Sequence, residues 1–379
     1  METFAVVAAC DDKFAQHTSV MLRSLLENNP KTTFRIFVLV PTDFPTNVQS
    51  MMTNSMPSGY SLTFIEVCYQ NLSALKIGGW ASHTNYYRLL IADLLPEISR
   101  ALYLDSDIVV MGDISGMLHL DLSQHPLAAA LDTLDASPDF KRKINLGQSV
   151  PYFNTGVMLL NLDRWRSENI GRRALEFAAT NPQYIVHWDQ CALNNIISGN
   201  FLVLAKEWNF QRAAVDFDFT RSNSIERAKR AKVLHFTTSE KPWFFMNDHP
   251  LKQEYWKYLQ RTEWKHYIEP DRSLKMVVLK ALRSHLPGFA PSVERISVPH
   301  QVDEILDFLP PQATFNVPDH ILSLWFPPGP ANGVIEGRAL ARALSYAQSR
   351  ACKFAYHGSI GEGVFYKPIP SEAEPAKAL

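Results

Sequence analysis

The sequence predicts an α/β protein whose central sheet is mostly parallel and covered by helices on both faces. Three observations carry this. Apolar, β-branched runs recur at 4–9 (FAVVAA), 34–40 (FRIFVLV), 62–67 (LTFIEV), 101–104 (ALYL) and 126–131 (PLAAAL). Segments with helical spacing, 17–29 (HTSVMLRSLLENN) and 85–95 (NYYRLLIADLL), lie between them. The runs are continuous rather than alternating, as expected of strands buried on both faces.

Taken in order, the opening METFAVVAACDDK has no basic residue before its apolar run and ends on Asp11 and Asp12. It is therefore expected to be a first strand and not a cleaved leader. The helical stretch at 17–29 and the runs at 34–40 and 62–67 continue the alternation, followed by the helix at 85–95 and the strands at 101–104 and 126–131. The second half is less regular: FNTGVMLLNLDRWR (153–166), a helix starting at HWDQCALNNIIS (187–198) and a short strand VLHF (233–236). In a parallel sheet of this kind ligands sit at the carboxyl ends of the strands. That rule brings Asp11 and the 105–107 segment to one crevice.

From about residue 266 the character changes. DRSLKMVVLKALRSHL (271–286) reads as a helix with Arg272, Lys275, Lys280 and Arg283 on one side and Leu274, Val277, Val278 and Ala281 on the other. Such a helix either rests on an anionic membrane surface or packs on the body with a solvated basic face. Proline-rich turns, a helical GRALARALSYAQS and a closing ACKFAYHGSIGEGVFYKP follow, with no repeat and no chemical signature. With 379 residues the chain exceeds the usual single domain. Two units are expected, 1–265 and a C-terminal extension, 266–379.

Composition narrows the function classes. With 46% hydrophobic residues, 20% charged residues and a net charge of -1, nothing calls for nucleic acid or an acidic partner. No stretch reaches about 18 uninterrupted apolar residues, so no spanning helix is expected. The chain is expected to stay cytoplasmic, with 271–286 a candidate peripheral contact on the inner membrane face. Cys10, Cys68, Cys191 and Cys352 are far apart with no C-x-x-C pair, which indicates buried thiols rather than a zinc or disulfide framework.

The stretch ALYLDSDIVVMGD (101–113) places Asp105 and Asp107 inside an apolar run. Unpaired buried carboxylates are costly, so this pair calls for a compensating charge. Side chains two apart on an extended segment share a face, and two carboxylates on one face can grip a hard divalent cation such as manganese, magnesium or calcium. Asp216 and Asp218 repeat the spacing without a strand context and read as a solvated loop. An apolar run followed by D-x-D-x-V also resembles the first motif of haloacid-dehalogenase-like phosphatases. That family places the motif near its first strand and requires later acidic partners, which this chain does not show.

The segments AACDDKFAQH, NYYRLLIADLL, ALYLDSDIVVMGD, YFNTGVMLLNLDRW, HWDQCALN and VLHFTTSEKPW occur here in the order and at roughly the distances found in glycosyltransferase family 8. The chain resembles the bacterial lipopolysaccharide α-galactosyl- and α-glucosyltransferases of that family, and glycogenin more distantly, over about residues 3–265. The resemblance implies a GT-A fold and a retaining hexosyltransferase using a UDP-sugar and Mn2+, or Mg2+, with a saccharide or glycolipid acceptor.

It also implies site residues. Asp105, Asp107 and His235 match the metal ligands. Lys241 matches the lysine on the diphosphate, where a cation would stabilise charge on departing UDP. Thr238 stands where the family usually has a phosphate-binding glycine; it keeps the N–H but cannot easily adopt a positive φ. Ala9, Asp11, Phe14 and Ser106 fall in the nucleotide-binding segments, with Asp11 and Phe14 matching the uracil contacts by hydrogen bonding and stacking. Arg88 matches the arginine that reaches donor sugar and phosphates, although taken alone it reads as a surface charge. Asp132, Asn154, Asp189 and Gln190 match residues around the transferred sugar. Beside Asn154, Thr155 and Gly156 suggest crowding against a ligand. Gln190 occupies the position of a candidate nucleophile, a poor one because its amide is neutral, so front-face attack is expected over a covalent intermediate. A non-catalytic sugar-nucleotide-binding protein is the alternative from another class.

Overall fold

The structure is a computed structural model. It describes residues 3–68, 72, 75, 82–132, 137–211, 227–237, 241–247, 249–273, 276–277, 280, 302, 306, 314–318, 321–322, 325–326, 330, 334–335, 337–357 and 362–367. The chain forms two compact units, Met1–Met276 and Val277–Leu379.

The first unit is built on seven strands: β1 (Thr3–Ala9), β2 (Thr33–Pro41), β3 (Leu62–Val67), β4 (Arg100–Leu104), β6 (Leu127–Leu131), β7 (Phe153–Asn161) and β8 (Leu202–Val203). Their order is β3-β2-β1-β4-β7-β6-β8. All pairings are parallel except those of β7, which runs antiparallel to both β4 and β6. Side-chain alternation divides each strand between two cores. Ala5, Val7, Ala9, Ala101 and Tyr103 enter one, and Val6, Ala8, Leu102 and Leu104 enter the other. Both faces are therefore sealed, which explains the unbroken apolar runs.

The predicted helix at 17–29 is a helix over Ala15–Asn28, and 187–198 is helical over Trp188–Ile197. The stretch at 85–95 is not one straight helix. It divides into Thr84–Tyr87, a tighter 3-10 turn at Arg88–Leu90 and Ile91–Leu94. Tyr86, Tyr87, Arg88 and Leu89 are all buried in succession, more than the single face of a straight amphipathic helix can hide.

A second, three-stranded sheet of the first unit carries half of the site. It comprises β5 (Ile108–Val110), β9 (Phe210–Gln211) and β10 (Val233–His235) in the order β5-β10-β9. Antiparallel pairing of β10 with β5 sets His235 opposite Ile108. Residues 264–271 still belong to this unit. Trp264 and Tyr267 pack on its Phe236–Trp243–Tyr255 cluster, Glu269 pairs with Lys252, and Asp271 accepts the N–H groups of Phe245 and Met246 at 2.6 and 3.0 Å. These contacts carry the unit past residue 266, and it extends to Met276.

The second unit contains β11 (Thr314–Pro318), the helix Gly337–Ser349, β12 (Lys353–His357) and β13 (Glu362–Tyr366). Its antiparallel sheet has the order β11-β13-β12 around a core that includes Trp325, Phe326, Tyr346, Phe354 and Phe365. Of the expected helix at 271–286 only 271–273, 276, 277 and 280 are among the described residues; Leu274, Lys275, Val278, Ala281 and Arg283 lie outside them. No helix among the described residues is long and apolar enough to cross a membrane.

Candidate functional site

The D-x-D segment bridges the two sheets. Asp105 leaves the carboxyl end of β4, where its N–H donates to Gly156 O at 2.9 Å. Asp107 immediately precedes β5, and its carbonyl accepts from Phe236 N at 3.0 Å. His235 closes β10 directly beside it. Its Nε2 lies 3.1 Å from Asp107 Oδ1 and 3.9 Å from Asp105 Oδ2. One ligand atom from each of the three lies within 4.8 Å of the others, so the group could hold a metal ion. A Cβ on Gly156 would fall 2.2 Å from His235 Cε1 and 2.8 Å from Asp105 Oδ2. The expected crowding at Gly156 is thus against the two candidate ligands themselves, because β7 runs beside β4 at that point.

Two cations flank the carboxylates. Lys241 Nζ lies 2.5 Å from Asp107 Oδ2 and donates to Phe236 O at 2.8 Å. Burial pushes the Asp107 carboxyl up, but the Lys241 ammonium and the His235 ring outweigh it and hold the group well below the usual carboxylate range. Arg88, expected from its isolated sequence to be a surface charge, is only 5% exposed. Its Nη2 lies 2.9 Å from Asp105 Oδ1 and its Nε 3.2 Å from Asp189 Oδ2. Nη1 donates to Thr155 O at 2.9 Å, and the guanidinium lies 4.5 Å above the Tyr103 ring. Burial alone would favour the neutral form, but Asp105 and Asp189 keep the guanidinium charged. Tyr103 Oη adds a hydrogen bond to Asp105 Oδ1 at 2.9 Å. These contacts engage Asp105 from the side of Arg88 rather than leaving it poised as an isolated nucleophile.

Next to the carboxylates lies a buried amide cluster. Asn154 Nδ2 donates to Asp132 Oδ2 and to Gln190 Oε1, each at 3.2 Å. Gln190 Oε1 also accepts from Thr155 N at 3.2 Å, and Gln190 Nε2 donates to Asp132 Oδ2 at 3.1 Å. Thr155 Oγ1 donates to Asp189 Oδ2 at 3.0 Å. Asp189 is buried, and burial raises its carboxyl from 3.8 to about 6, with Asp105 adding to the rise while Arg88 and Thr155 oppose it. The helix carrying Asp189 and Gln190 begins at Trp188, whose φ of 34° is unusual for a bulky residue. Such strain concentrates where side-chain placement is over-determined by function.

The predicted nucleotide residues line the amino-terminal side. Asp11 Oδ1 accepts from Phe14 N at 3.1 Å, at the start of the first helix. Phe14 is partly buried and meets His17 and Trp243 edge-on. His17 stacks on Trp243 with ring centres 3.5 Å apart, and its Nδ1 lies 2.7 Å from Tyr255 Oη. Ala9 is buried. Ser106 Oγ lies 2.8 Å from Thr18 Oγ1 and donates to Ala9 O at 3.3 Å, so this side chain is turned into the protein. Thr238, and likewise Asp216 and Asp218, lie outside the described residues.

The donor set suits a hard or borderline divalent cation: two carboxylates and one imidazole, with a cradle that a side chain at 156 would fill. Sequence reasoning missed Asn209, which is 2% exposed and whose Oδ1 lies 2.9 Å from His235 Nδ1. It also missed Tyr103, and it read Thr155 only as a small residue, not as the hydroxyl that bonds Asp189. A lone Asn in KEWNFQ has no spacing signature, and its only signal is its place just before β9, the strand next to β10.

Comparison with known proteins supports the architecture. General stress protein A of Bacillus subtilis is 28% identical over 274 residues, 69% of this chain and 95% of that protein. Lipopolysaccharide 1,3-galactosyltransferase of Salmonella typhimurium is 25% identical over 276 residues, covering 70% of this chain and 80% of that enzyme. Among solved structures, the galactosyltransferase LgtC, crystallised with donor and acceptor sugar analogues, superimposes with a TM-score of 0.62 at 23% identity, covering 69% of this chain and 96% of that one. The fold is accordingly that of the GT-A glycosyltransferases. Residues 5–247 match the model of glycosyl transferase family 8, and the chain belongs to that family.

Proposed function

We propose that this protein is a metal-dependent, retaining hexosyltransferase that moves galactose or glucose from a UDP-sugar to a saccharide, free or lipid-linked, during synthesis of lipopolysaccharide or another surface glycan. The observation that carries the reading is the convergence of Asp105, Asp107 and His235 beside Lys241, at the carboxyl end of β4. Family membership and the likeness to galactosyltransferases support the same choice.

In this reading Asp105, Asp107 and His235 would hold Mn2+, which would supply Lewis-acid stabilisation of the diphosphate. Lys241 exchanges part of its bond to Asp107 for the phosphate oxygens and stabilises the charge that grows on departing UDP. Asp11 and Phe14 position the base. Arg88 holds Asp105 and Asp189 in fixed orientation, and Asp132, Asn154, Asp189 and Gln190 orient the hexose. The anomeric carbon passes through an oxocarbenium-like state. Gln190 carries a neutral amide already committed to Asn154, Thr155 and Asp132, which favours front-face attack with a UDP oxygen accepting the acceptor's proton.

The test is slow hydrolysis of a panel of UDP-sugars by the purified full chain in Mn2+ without acceptor. Release of UDP from UDP-galactose or UDP-glucose, lost with EDTA, is the expected result. Binding of a UDP-sugar without any turnover would instead identify a sugar-nucleotide-binding protein.

A further inference from the structure

Asn209 stands between the metal-ligand candidate His235 and the sugar-pocket amide of Asn154, and the polarity of every hydrogen bond along this chain of groups can be deduced. Gly156 N–H is an unambiguous donor, and it meets Asn154 Oδ1 at 3.0 Å. Asp132 offers a carboxylate acceptor, and Asn154 meets it through Nδ2. The Asn154 amide is thereby fixed with its oxygen toward Asn209. Asn209 must present Nδ2 to that oxygen, at 2.9 Å, which leaves its own Oδ1 facing His235 Nδ1, also at 2.9 Å. An amide oxygen cannot donate, so Nδ1 must carry the hydrogen. His235 Nε2 then turns its lone pair toward the carboxylates of Asp105 and Asp107. Three acceptors meeting there require a cation between them, or a second proton on the ring.

We propose that Asn209 is a positioning residue that fixes the Nδ1–H tautomer of His235 and couples the metal position to the Asp132–Asn154–Gln190 sugar pocket. The assignment rests on the metal-dependent reading of the site above. It extends that reading by one buried residue outside the ligand triad, of the kind that orients a ligating imidazole from behind. Asn209 is 2% exposed.

The test uses the full chain and three readouts. First, Mn2+ affinity is measured by electron paramagnetic resonance of the free ion. Asn209→Leu, with the same branched skeleton but unable to accept, is expected to weaken binding by about 10–100-fold. Asn209→Asp keeps an acceptor for Nδ1–H but gives up the donor to Asn154, and is expected to bind Mn2+ more tightly than Asn209→Leu. Second, 15N-histidine NMR at a pH where the ring is neutral is expected to show His235 protonated on Nδ1 in wild type and on Nε2 in Asn209→Leu. Third, thermal unfolding confirms that each variant is folded. Wild-type Mn2+ affinity in folded Asn209→Leu, equal loss in the Leu and Asp variants, or an Nε2–H tautomer in wild type would each overturn the proposal. Should Asn209→Leu fail to fold, the wild-type tautomer decides the question. If wild type binds no Mn2+, the metal-dependent reading of the site fails, while the tautomer measurement still judges Asn209.

Discussion

The Cα of Gly156 stands so close to His235 that a Cβ added there would lie 2.2 Å from the ring's Cε1. No side-chain contact persists at that distance, and the imidazole has no open direction because Asn209 holds its far edge and Asp107 its near one. Gly156→Ala is therefore expected to displace His235 rather than to be absorbed. Overpacking of this kind costs about 1–3 kcal/mol. The variant should unfold at lower denaturant concentration and lose most Mn2+ affinity, read by calorimetric titration. Unchanged affinity would show that the ring is not a ligand.

Asp107 lies between Lys241 at 2.5 Å and His235 at 3.1 Å. Asp107→Asn keeps the shape but removes the charge that both neighbours answer. Turnover of UDP-sugar should fall by at least about 100-fold, the order found when a group stabilising charge in the transition state is lost. Circular dichroism should remain native. Near-normal activity of this variant in Mn2+ would contradict the assignment, and so would full wild-type activity after metal removal with EDTA.

Much of this was legible in the chain, for identifiable reasons. Buried strands of a two-faced sheet are apolar, so β1, β4 and β6 appear as unbroken runs and β2 is interrupted only at the exposed Arg35. Direction is not encoded in such a run, and nothing in FNTGVMLLN announces that β7 lies antiparallel between β4 and β6. Asp105 and Asp107 are visible because two charges within an apolar stretch demand an explanation. His235 was found through its resemblance to a motif. Arg88 was not recognisable as buried, since its partners Asp105, Thr155 and Asp189 come from remote parts of the chain. Asn209 escaped for the same reason: one asparagine acquires meaning only when folding sets it against a particular ring nitrogen. The break at Arg88–Leu90 was hidden because apolar spacing in 85–95 suits a helix, whereas the burial of Arg88 depends on tertiary partners.

In the proposed retaining transfer, Gln190 distinguishes the two routes. Its amide makes hydrogen bonds with Asn154, Thr155 and Asp132, so it shapes the pocket without possessing nucleophilic character. Gln190→Ala is expected to lower kcat by about 10–100-fold, the scale of a positioning loss, while retaining the anomeric configuration. Product analysis by NMR checks this. Complete loss of turnover in a folded variant, together with trapping of a glycosylated wild-type enzyme, would favour a covalent intermediate instead.

Asp189 gives a prediction in pH. Burial raises its carboxyl from 3.8 to about 6, against the pull of Arg88. A carboxyl whose folded value is raised binds its proton more tightly in the native state. Its favourable contribution is complete below about pH 4 and is lost as pH rises through about 6. A shift of about two units corresponds to about 3 kcal/mol at most. Asp189→Asn cannot titrate. The unfolding free energy of the variant minus that of wild type should therefore rise by about 2–3 kcal/mol between pH 4 and pH 7, by urea titration at each pH. The difference follows the ionisation of the wild-type carboxyl, because below about pH 4 neither protein offers Arg88 a charge at position 189. A gap that stays constant across the window would mean that Arg88 holds Asp189 ionised in the ordinary carboxylate range, and that the buried pair behaves as a fixed salt bridge.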